Sequence, residues 1–395
     1  MTIDWFYLIP LLVGHLALFV LILNVTHSTD LPEKPLDLFN LAWLLAFLAA
    51  VPLLVTQGRW TSWPAIPRGY AILCLGTALV GLPLVTLLRA FRRVPEGVEG
   101  RSEELDLAVA PGLDRVVGEG RHHWLMRLPG NRSLRLSRVE CDLILPGLPQ
   151  ALDGLTLVQL TDLHFSHCYR REFFEIVADE AARWEADIVA FTGDLLDDPS
   201  TMDWVEPVFS KLRGRLGQYA ILGNHDHRLR PGRARRAMRR AGFVDLEGRW
   251  ERIEIDGATL ALGGTSAPWG DPIDYAAMAD ADFRIVLSHS PDQFPRAASA
   301  GVDLVLAGHN HGGQIRLPVF GPILMPSRYS RHFDRGFFRS KGGASTLYVS
   351  QGVGGKHPIR YGCTPEITRF TLRATPSARL PHAREQADAG LYRGR

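Results

Sequence analysis

Lysine is nearly missing from this 395-residue chain: Lys34, Lys211, Lys341 and Lys356 are the only ones among 44 basic residues. Positive charge is therefore carried by arginine, and an arginine-rich stretch reflects the chain's general bias before it reflects a ligand. Net charge is scarce as well. At +2 the chain offers no overall attraction for a polyanion, and no nucleic-acid partner is expected. Cysteine is limited to Cys74, Cys141, Cys168 and Cys363, with no C-x-x-C pair. That excludes a disulfide scaffold and a thiolate zinc site, and suits a reducing compartment.

Charge is absent altogether from Trp5 to Val25, from Leu38 to Thr56 and from Tyr70 to Leu88. Each stretch approaches the roughly 20 residues that cross a hydrocarbon core as a helix. A cleaved signal is the competing reading of the first, but it lacks a basic start and two more stretches follow. Two spans with a hydrophobic hairpin is the alternative to three. The expected organisation is a membrane domain over 1–93, a juxtamembrane linker with a possible lead-in strand over 94–138, an α/β domain over 139–375 and a disordered tail over 376–395. Lys34, Arg89, Arg92 and Arg93 flank the spans on one side, against Arg59 and Arg68 on the other. The positive-inside rule then predicts an exterior N-terminus and a cytoplasmic C-terminal domain.

Beyond residue 139, short apolar runs alternate with helix-length segments. Leu155–Leu160, Ile188–Phe191, Tyr219–Leu222, Ile285–Leu287 and Leu304–Ala307 read as buried strands. Arg170–Trp184, with Phe173, Phe174, Val177 and Ala181 on one stripe, and Pro231–Ala241 read as helices. Shorter runs at Arg252–Ile255, Thr259–Leu262, Thr346–Val349 and Ile367–Leu372 add a β-rich half. The pattern predicts an α/β layered domain.

The unusual polar residues fall at the C-terminal ends of those strands, where layered α/β sheets bind ligands. They are Asp162 and His164, Asp194 and Asp197, Asn224 and His225, His289, and His309 and His311, with Gly193, Gly223 and Gly308 just before three of the groups. Glycine there is expected to allow a tight turn. A donor pool of Asp, His and Asn without Cys suits Mn, Fe, Zn or Mg. The D-x-H and H-x-H spacings let each pair grip one ion or two neighbouring ions, and the carboxylate of Asp194 is the natural bridge.

In that order (DxH, GDxxD, GNHD, H, GHxH) the segment from about Ile144 to Leu372 resembles the calcineurin-like metallophosphoesterase family. The resemblance implies a four-layer α/β sandwich of two mixed sheets and two divalent metal ions. Asp162, His164 and His311 would hold one ion, Asn224, His289 and His309 the other, with Asp194 between them. It further implies that His225 approaches the leaving group, that Asp197 orients it, and that the reaction is in-line hydrolysis at phosphorus. Phosphoprotein phosphatases follow the GDxxD acid with Arg, whereas here Asp198 and Pro199 follow. A phosphoprotein substrate is thereby disfavoured. The runs Gly308–Pro318 and Gly352-Val353-Gly354, with Pro358-Ile359-Arg360, are similar to a bacterial membrane-associated subgroup that includes hydrolases of UDP-2,3-diacylglucosamine. The implied setting is a multi-pass inner-membrane protein acting on a phosphorylated, lipid-linked substrate at the bilayer.

Arg228, Arg230, Arg233, Arg235, Arg236, Arg239 and Arg240 form a basic surface beside GNHD, read as a solvated helix or a contact for anionic headgroups. Phe333, Phe337 and Phe338 are candidates for an acyl chain, though phenylalanine is more often core. His15 in the first span is expected to face a neighbouring helix. A non-catalytic metal-binding scaffold is the alternative to an enzyme, and the filled ligand positions argue against it.

Overall fold

The computed structural model describes residues 5–29, 31, 33–56, 64–92, 94–109, 112–318, 320–329 and 332–375. The tail expected over 376–395 lies outside the described residues. The described residues fall into two compact units, the first 5–92 with Leu317–Tyr329, the second Val94–Arg316 with 332–375.

In the first unit, α1 (Trp5–His27), α2 (Glu33–Thr56) and α3 (Ala65–Ala90, with a π-helical turn at Thr77–Gly81) are each long and apolar enough to cross a membrane. Their outward faces remain apolar: Leu16, Leu45 and Leu73 are all about half exposed or more, as lipid-facing helices require. Where α1 crosses α3, a Cβ on Gly14 would sit 1.8 Å from the carbonyl oxygen of Cys74, so only glycine permits that approach. His15 is buried in the bundle, with Nδ1 2.5 Å from the Tyr70 hydroxyl and Nε2 3.1 Å from the Phe47 carbonyl. It ties α1 to both neighbours.

The second unit contains two mixed sheets. The first has β1 (Val98–Asp106), β2 (Arg135–Leu145), β3 (Thr156–Leu160), β4 (Ile188–Thr192), β5 (Gly217–Ile221), β6 (Val244–Asp245) and β15 (Glu366–Ala374) in the order β1-β2-β15-β3-β4-β5-β6. The second has β7 (Arg249–Ile255), β8 (Ala258–Thr265), β9 (Phe283–Ser288), β10 (Leu304–Ala307), β13 (Gly336–Arg339) and β14 (Thr346–Val349) in the order β13-β14-β10-β9-β8-β7, while the short β11 (Arg316–Leu317) and β12 (Gly321–Pro322) lie outside both sheets. β3, β4 and β5 run parallel, as do β8, β9, β10 and β14.

Strand parity explains the layers. Leu157, Ile188, Ala190 and Ile221 point inward against Leu262, Ile285, Leu287 and Leu306 of the other sheet. Their neighbours Val158, Leu160, Val189 and Phe191 point outward, against α4 (Arg171–Ala182) through Phe173, Phe174 and Val177. Val286 and Val305 of the second sheet pack outward on Phe294 and Ala297. Burial on both faces makes these strands continuous apolar runs, and the result is the four-layer sandwich that the resemblance implied.

Two expectations need correction. The segment over 94–138, expected as a juxtamembrane linker with a possible lead-in strand, groups with the second unit from Val94 and does begin with a strand. β1 pairs antiparallel with β2 from Val98 opposite Leu143 to Asp106 opposite Arg135. Its side chains are mostly exposed, and Glu104 is held by Arg132 and Arg135. An edge strand secured by its ladder and by ion pairs carries no apolar alternation to read. The second correction concerns the phenylalanines. Phe333 and Phe338 are 3% and 8% exposed in the outer core of the second sheet, and Phe337 packs on Tyr348. They fill a core rather than receive an acyl chain.

Candidate metal centre

The parallel strands deliver the expected polar residues to one place. Asp162, His164, Asp194 and His311 offer ligand atoms that all lie within 4.8 Å of one another, as do those of Asp194, His289 and His309. Asp194 is common to both clusters. Asn224, at the start of α5 (Asn224–Leu229), joins the second cluster with Oδ1 3.1 Å from Nε2 of His289. Asp197 and His225 stand at the rim with His164.

Hydrogen bonds fix which ring nitrogen of His289 and of His164 faces inward. The Nδ1–H of His289 donates to the Thr192 carbonyl at 2.8 Å, so its Nε2 lone pair meets Asn224 Oδ1 and, at 3.4 Å, Asp194 Oδ2. His164 likewise directs Nδ1 to Asp197 Oδ1 at 3.0 Å, leaving Nε2 3.4 Å from Asp194 Oδ2 and 3.0 Å from Nε2 of His311. His311 Nε2 is also 3.4 Å from Asp162 Oδ1. Acceptor lone pairs that converge on one another in such buried side chains repel unless a proton or a cation lies among them, and a pool of several such atoms around one point can share a cation. The donor set therefore fits divalent metal.

Protonation follows the same electrostatics. Burial alone would lower His164 and His289, but the surrounding carboxylates, Asp197 for the first and Asp194 for the second, push both up to about 9. Burial would raise Asp194, yet His289 and His225 hold it well below the ordinary carboxylate range. Burial, with His164 and Arg360 beside it, instead pushes His311 down, so it is Asp194 and Asp197 that favour positive charge here.

The backbone is strained at the same positions. Asp162, His164, Asp194, His309 and His311 have φ of 55°, 49°, 55°, 70° and 48°, in the left-handed region that non-glycine residues rarely occupy. Turning left at the strand end aims each side chain into the cleft. The neighbouring glycines differ from expectation in their reason. Gly223 has an extended backbone, and a Cβ there would sit 2.1 Å from Asp194 Oδ1; at Gly308 it would sit 2.2 Å from Thr161 Oγ1 and 2.5 Å from Asp162 Oδ2. Close approach to the carboxylates, not turn conformation, requires glycine at these two sites.

Two contributors went unassigned in the sequence. Asp226, fully buried, accepts from the backbone N–H groups of Gly223, Leu195 and Leu196, bracing the loop that carries Asp194 and Asp197. Arg360, 1% exposed, donates to the carbonyls of His311, Gln351 and Gly354, holding the GHxH turn from behind. Asp226 was visible in GNHD and Arg360 in Pro358-Ile359-Arg360, but residue type alone does not separate a brace from a ligand. Asp198, where phosphoprotein phosphatases carry Arg, instead accepts from the Ser200 N–H at 2.9 Å as a helical cap.

A two-sheet α/β protein with buried Asp, His and Asn donors pooled at its strand ends is, as a class, a metal-dependent hydrolase. The chain belongs to the calcineurin-like metallophosphoesterase family, whose calcineurin-like phosphoesterase profile matches residues 155–313. It is 33% identical over 239 residues to the uncharacterized metallophosphoesterase YkuE of Bacillus subtilis, a match covering 58% of this chain and 82% of that protein. It is 27% identical over 300 residues to UDP-2,3-diacylglucosamine pyrophosphatase LpxG of Chlamydia trachomatis, covering 62% and 90%. A zebrafish transmembrane protein with a metallophosphoesterase domain matches at 26% over 266 residues, covering 60% of this chain and 57% of that one. The protein is a metal-dependent phosphoester hydrolase.

Proposed function

We propose that this protein is a membrane-anchored phosphoesterase with two divalent ions, cleaving a phosphate ester or pyrophosphate bond of a lipid-linked substrate. A nucleotide-linked acylated sugar such as UDP-2,3-diacylglucosamine is the leading candidate. The observation that carries the reading is the membership of Asp194 in both donor clusters. In this assignment Asp162, His164 and His311 hold one ion and Asn224, His289 and His309 the other, with Mn, Fe, Zn or Mg each matching the donors. When bound, such ions activate water and neutralise charge at phosphorus.

His225 supplies the leaving-group proton. Its Nδ1 is bound to Asp197 Oδ1 at 2.5 Å, and its side chain, 24% exposed, faces the clusters with Nε2 4.0 Å from Asp194 Oδ2. The carboxylate orients the ring so that Nε2 faces the leaving group. A metal-binding scaffold would have no use for this pair. The lipid reading draws support from the three apolar helices, from the similarity to LpxG and from Arg228, Arg230, Arg233 and Arg236. Those four arginines form no ion pair among the described residues, whereas Arg235, Arg239 and Arg240 are paired with Asp245 or Glu206.

Purified full-length protein in detergent, loaded with each metal in turn, tests this. Two ions per chain and a much higher kcat/KM for UDP-2,3-diacylglucosamine than for its deacylated counterpart are expected. Equal turnover of the two compounds would overturn the lipid substrate, and a single bound ion would overturn the dinuclear assignment.

A further inference from the structure

The stretch from Leu317 to Tyr329 lies within the sequence of the α/β domain, shortly after His311, yet by its contacts it belongs to the unit of membrane helices. Its composition is unlike the rest of that domain. Arg328 is its only charged residue, and Pro318, Pro322 and Pro326 remove three backbone donors.

Its anchoring points define where it sits in that unit. The backbone N–H of Met325, fully buried, donates to Oδ1 of Asn24 at 2.8 Å, and Asn24 is 4% exposed in the last turn of α1. Gly321 lies so near Arg89, in the last turn of α3, that a Cβ would come within 2.3 Å of its Cζ. Successive membrane spans alternate in direction, so the ends of α1 and α3 share one face. It is the face from which the chain continues into the α/β domain.

Arg328 apart, the exposed side chains described in the stretch are apolar or aromatic. Leu317, Phe320 and Leu324 are 48%, 47% and 49% exposed, with Tyr329 at 39%. Irregular backbone tolerates an apolar medium only when its polar groups are satisfied. Here the Met325 N–H is taken by Asn24, the Phe320 N–H by Pro318 O and the Ser327 N–H by Met325 O. Arginine and tyrosine at one end match the residues that hold segments at the headgroup level.

We propose that Leu317–Tyr329 is a lipid-contacting wedge, with Leu317, Phe320 and Leu324 among the acyl chains at the headgroup boundary beside the ends of α1 and α3. The occupant of this apolar surface is the bilayer itself. The wedge rests on the membrane-spanning reading of α1–α3 and deepens it: the segment that follows the GHxH motif is held in the membrane, not only the N-terminal anchor.

The test uses the full chain in vesicles of phosphatidylethanolamine and phosphatidylglycerol. Leu324→Cys carries an environment-sensitive nitrobenzoxadiazole label, and Leu45→Cys, in the middle of α2 and 58% exposed, is the control. All four native cysteines are buried, and unsubstituted protein sets the background. The label at 324 should be quenched by nitroxide-bearing lipid and shielded from aqueous iodide. Lipid quenching at 45 with iodide quenching at 324 would overturn the wedge alone. Iodide quenching at both positions would overturn the membrane reading and the wedge with it.

Discussion

Oδ1 of Asp197 lies 2.5 Å from Nδ1 of His225, and the same oxygen is 3.0 Å from Nδ1 of His164. Burial would raise this carboxyl, but the two imidazoles hold it far below the ordinary range, so it stays ionised. One oxygen thus sets the tautomer of an expected metal ligand and of the expected proton donor. Asp197→Asn should weaken metal affinity by roughly 10- to 100-fold, the usual cost of losing such a supporting partner, and should lower kcat as well. Titration calorimetry with metal, beside steady-state kinetics, checks both. Unchanged metal affinity would show that the carboxylate serves His225 alone.

The roles of Asp194 and His225 separate in the same assay. Asp194→Asn should lose both ions and all turnover while the fold survives, because the side chain sits at a strand end outside the apolar core. His225→Ala should keep its metal and lose about 10²- to 10⁴-fold in kcat, most for poor leaving groups, as removal of a general acid does. Metal analysis after dialysis decides the matter: equal depletion in the two variants contradicts the division of labour.

Much of this was legible because burial writes itself into sequence. β3, β4, β9 and β10 are covered on both faces, so they read as apolar runs, and the polar residues that end them stand out. The pairing of two sheets was not legible from the runs themselves, since Leu157 and Val158 look alike although one faces the other sheet and the other faces α4. β1, expected only as a possible lead-in strand, had no readable bounds for the opposite reason: its stability lies in backbone pairing and in Glu104. The left-handed backbone at five expected ligands has no residue signature, because Asp and His occupy those positions for chemical rather than conformational reasons. Leu317–Tyr329 escaped notice because prolines cut its apolar character into pieces too short for a span.

Away from the site, Asp187 joins the opposite ends of three parallel strands. Oδ2 accepts from both the N–H and the hydroxyl of Thr156 at 2.9 Å, and Oδ1 accepts from Arg215 at 2.7 Å. Burial works to raise this carboxyl, but the Thr156 N–H, Arg215 and the Thr156 hydroxyl together lower it below its ordinary 3.8. A depressed acid stabilises the fold above its unfolded value and loses that contribution as pH falls through the folded one. Asp187→Asn should therefore cost about 1 kcal/mol at neutral pH, the partial exposure and the solvated Arg215 keeping it small. The difference from the parent should vanish below the ordinary Asp range. Denaturant melts in detergent at neutral and acidic pH check this; a difference that persists in acid would mean that the carboxylate charge is irrelevant. Metal content should not change.

Orientation in the membrane is the last expectation open to direct measurement. In sequence, Lys34, Arg89, Arg92 and Arg93 fall near the end of α1, the start of α2 and the end of α3, while Arg59 follows α2 and Arg68 falls in the first turn of α3. Positive residues are retained on the cytoplasmic side, so the larger group puts the α/β domain there and the N-terminus outside. A reporter should sit on the α/β domain and disturb nothing. Glu119 meets that need: its side chain is 89% exposed, and its one ion pair among the described residues, to Arg170, is 3.6 Å long. The buried native cysteines give little background. Glu119→Cys should react with a membrane-impermeant maleimide only after cells are permeabilised. Labelling in intact cells would place the catalytic domain outside, and any substrate would then have to be reached from the exterior leaflet.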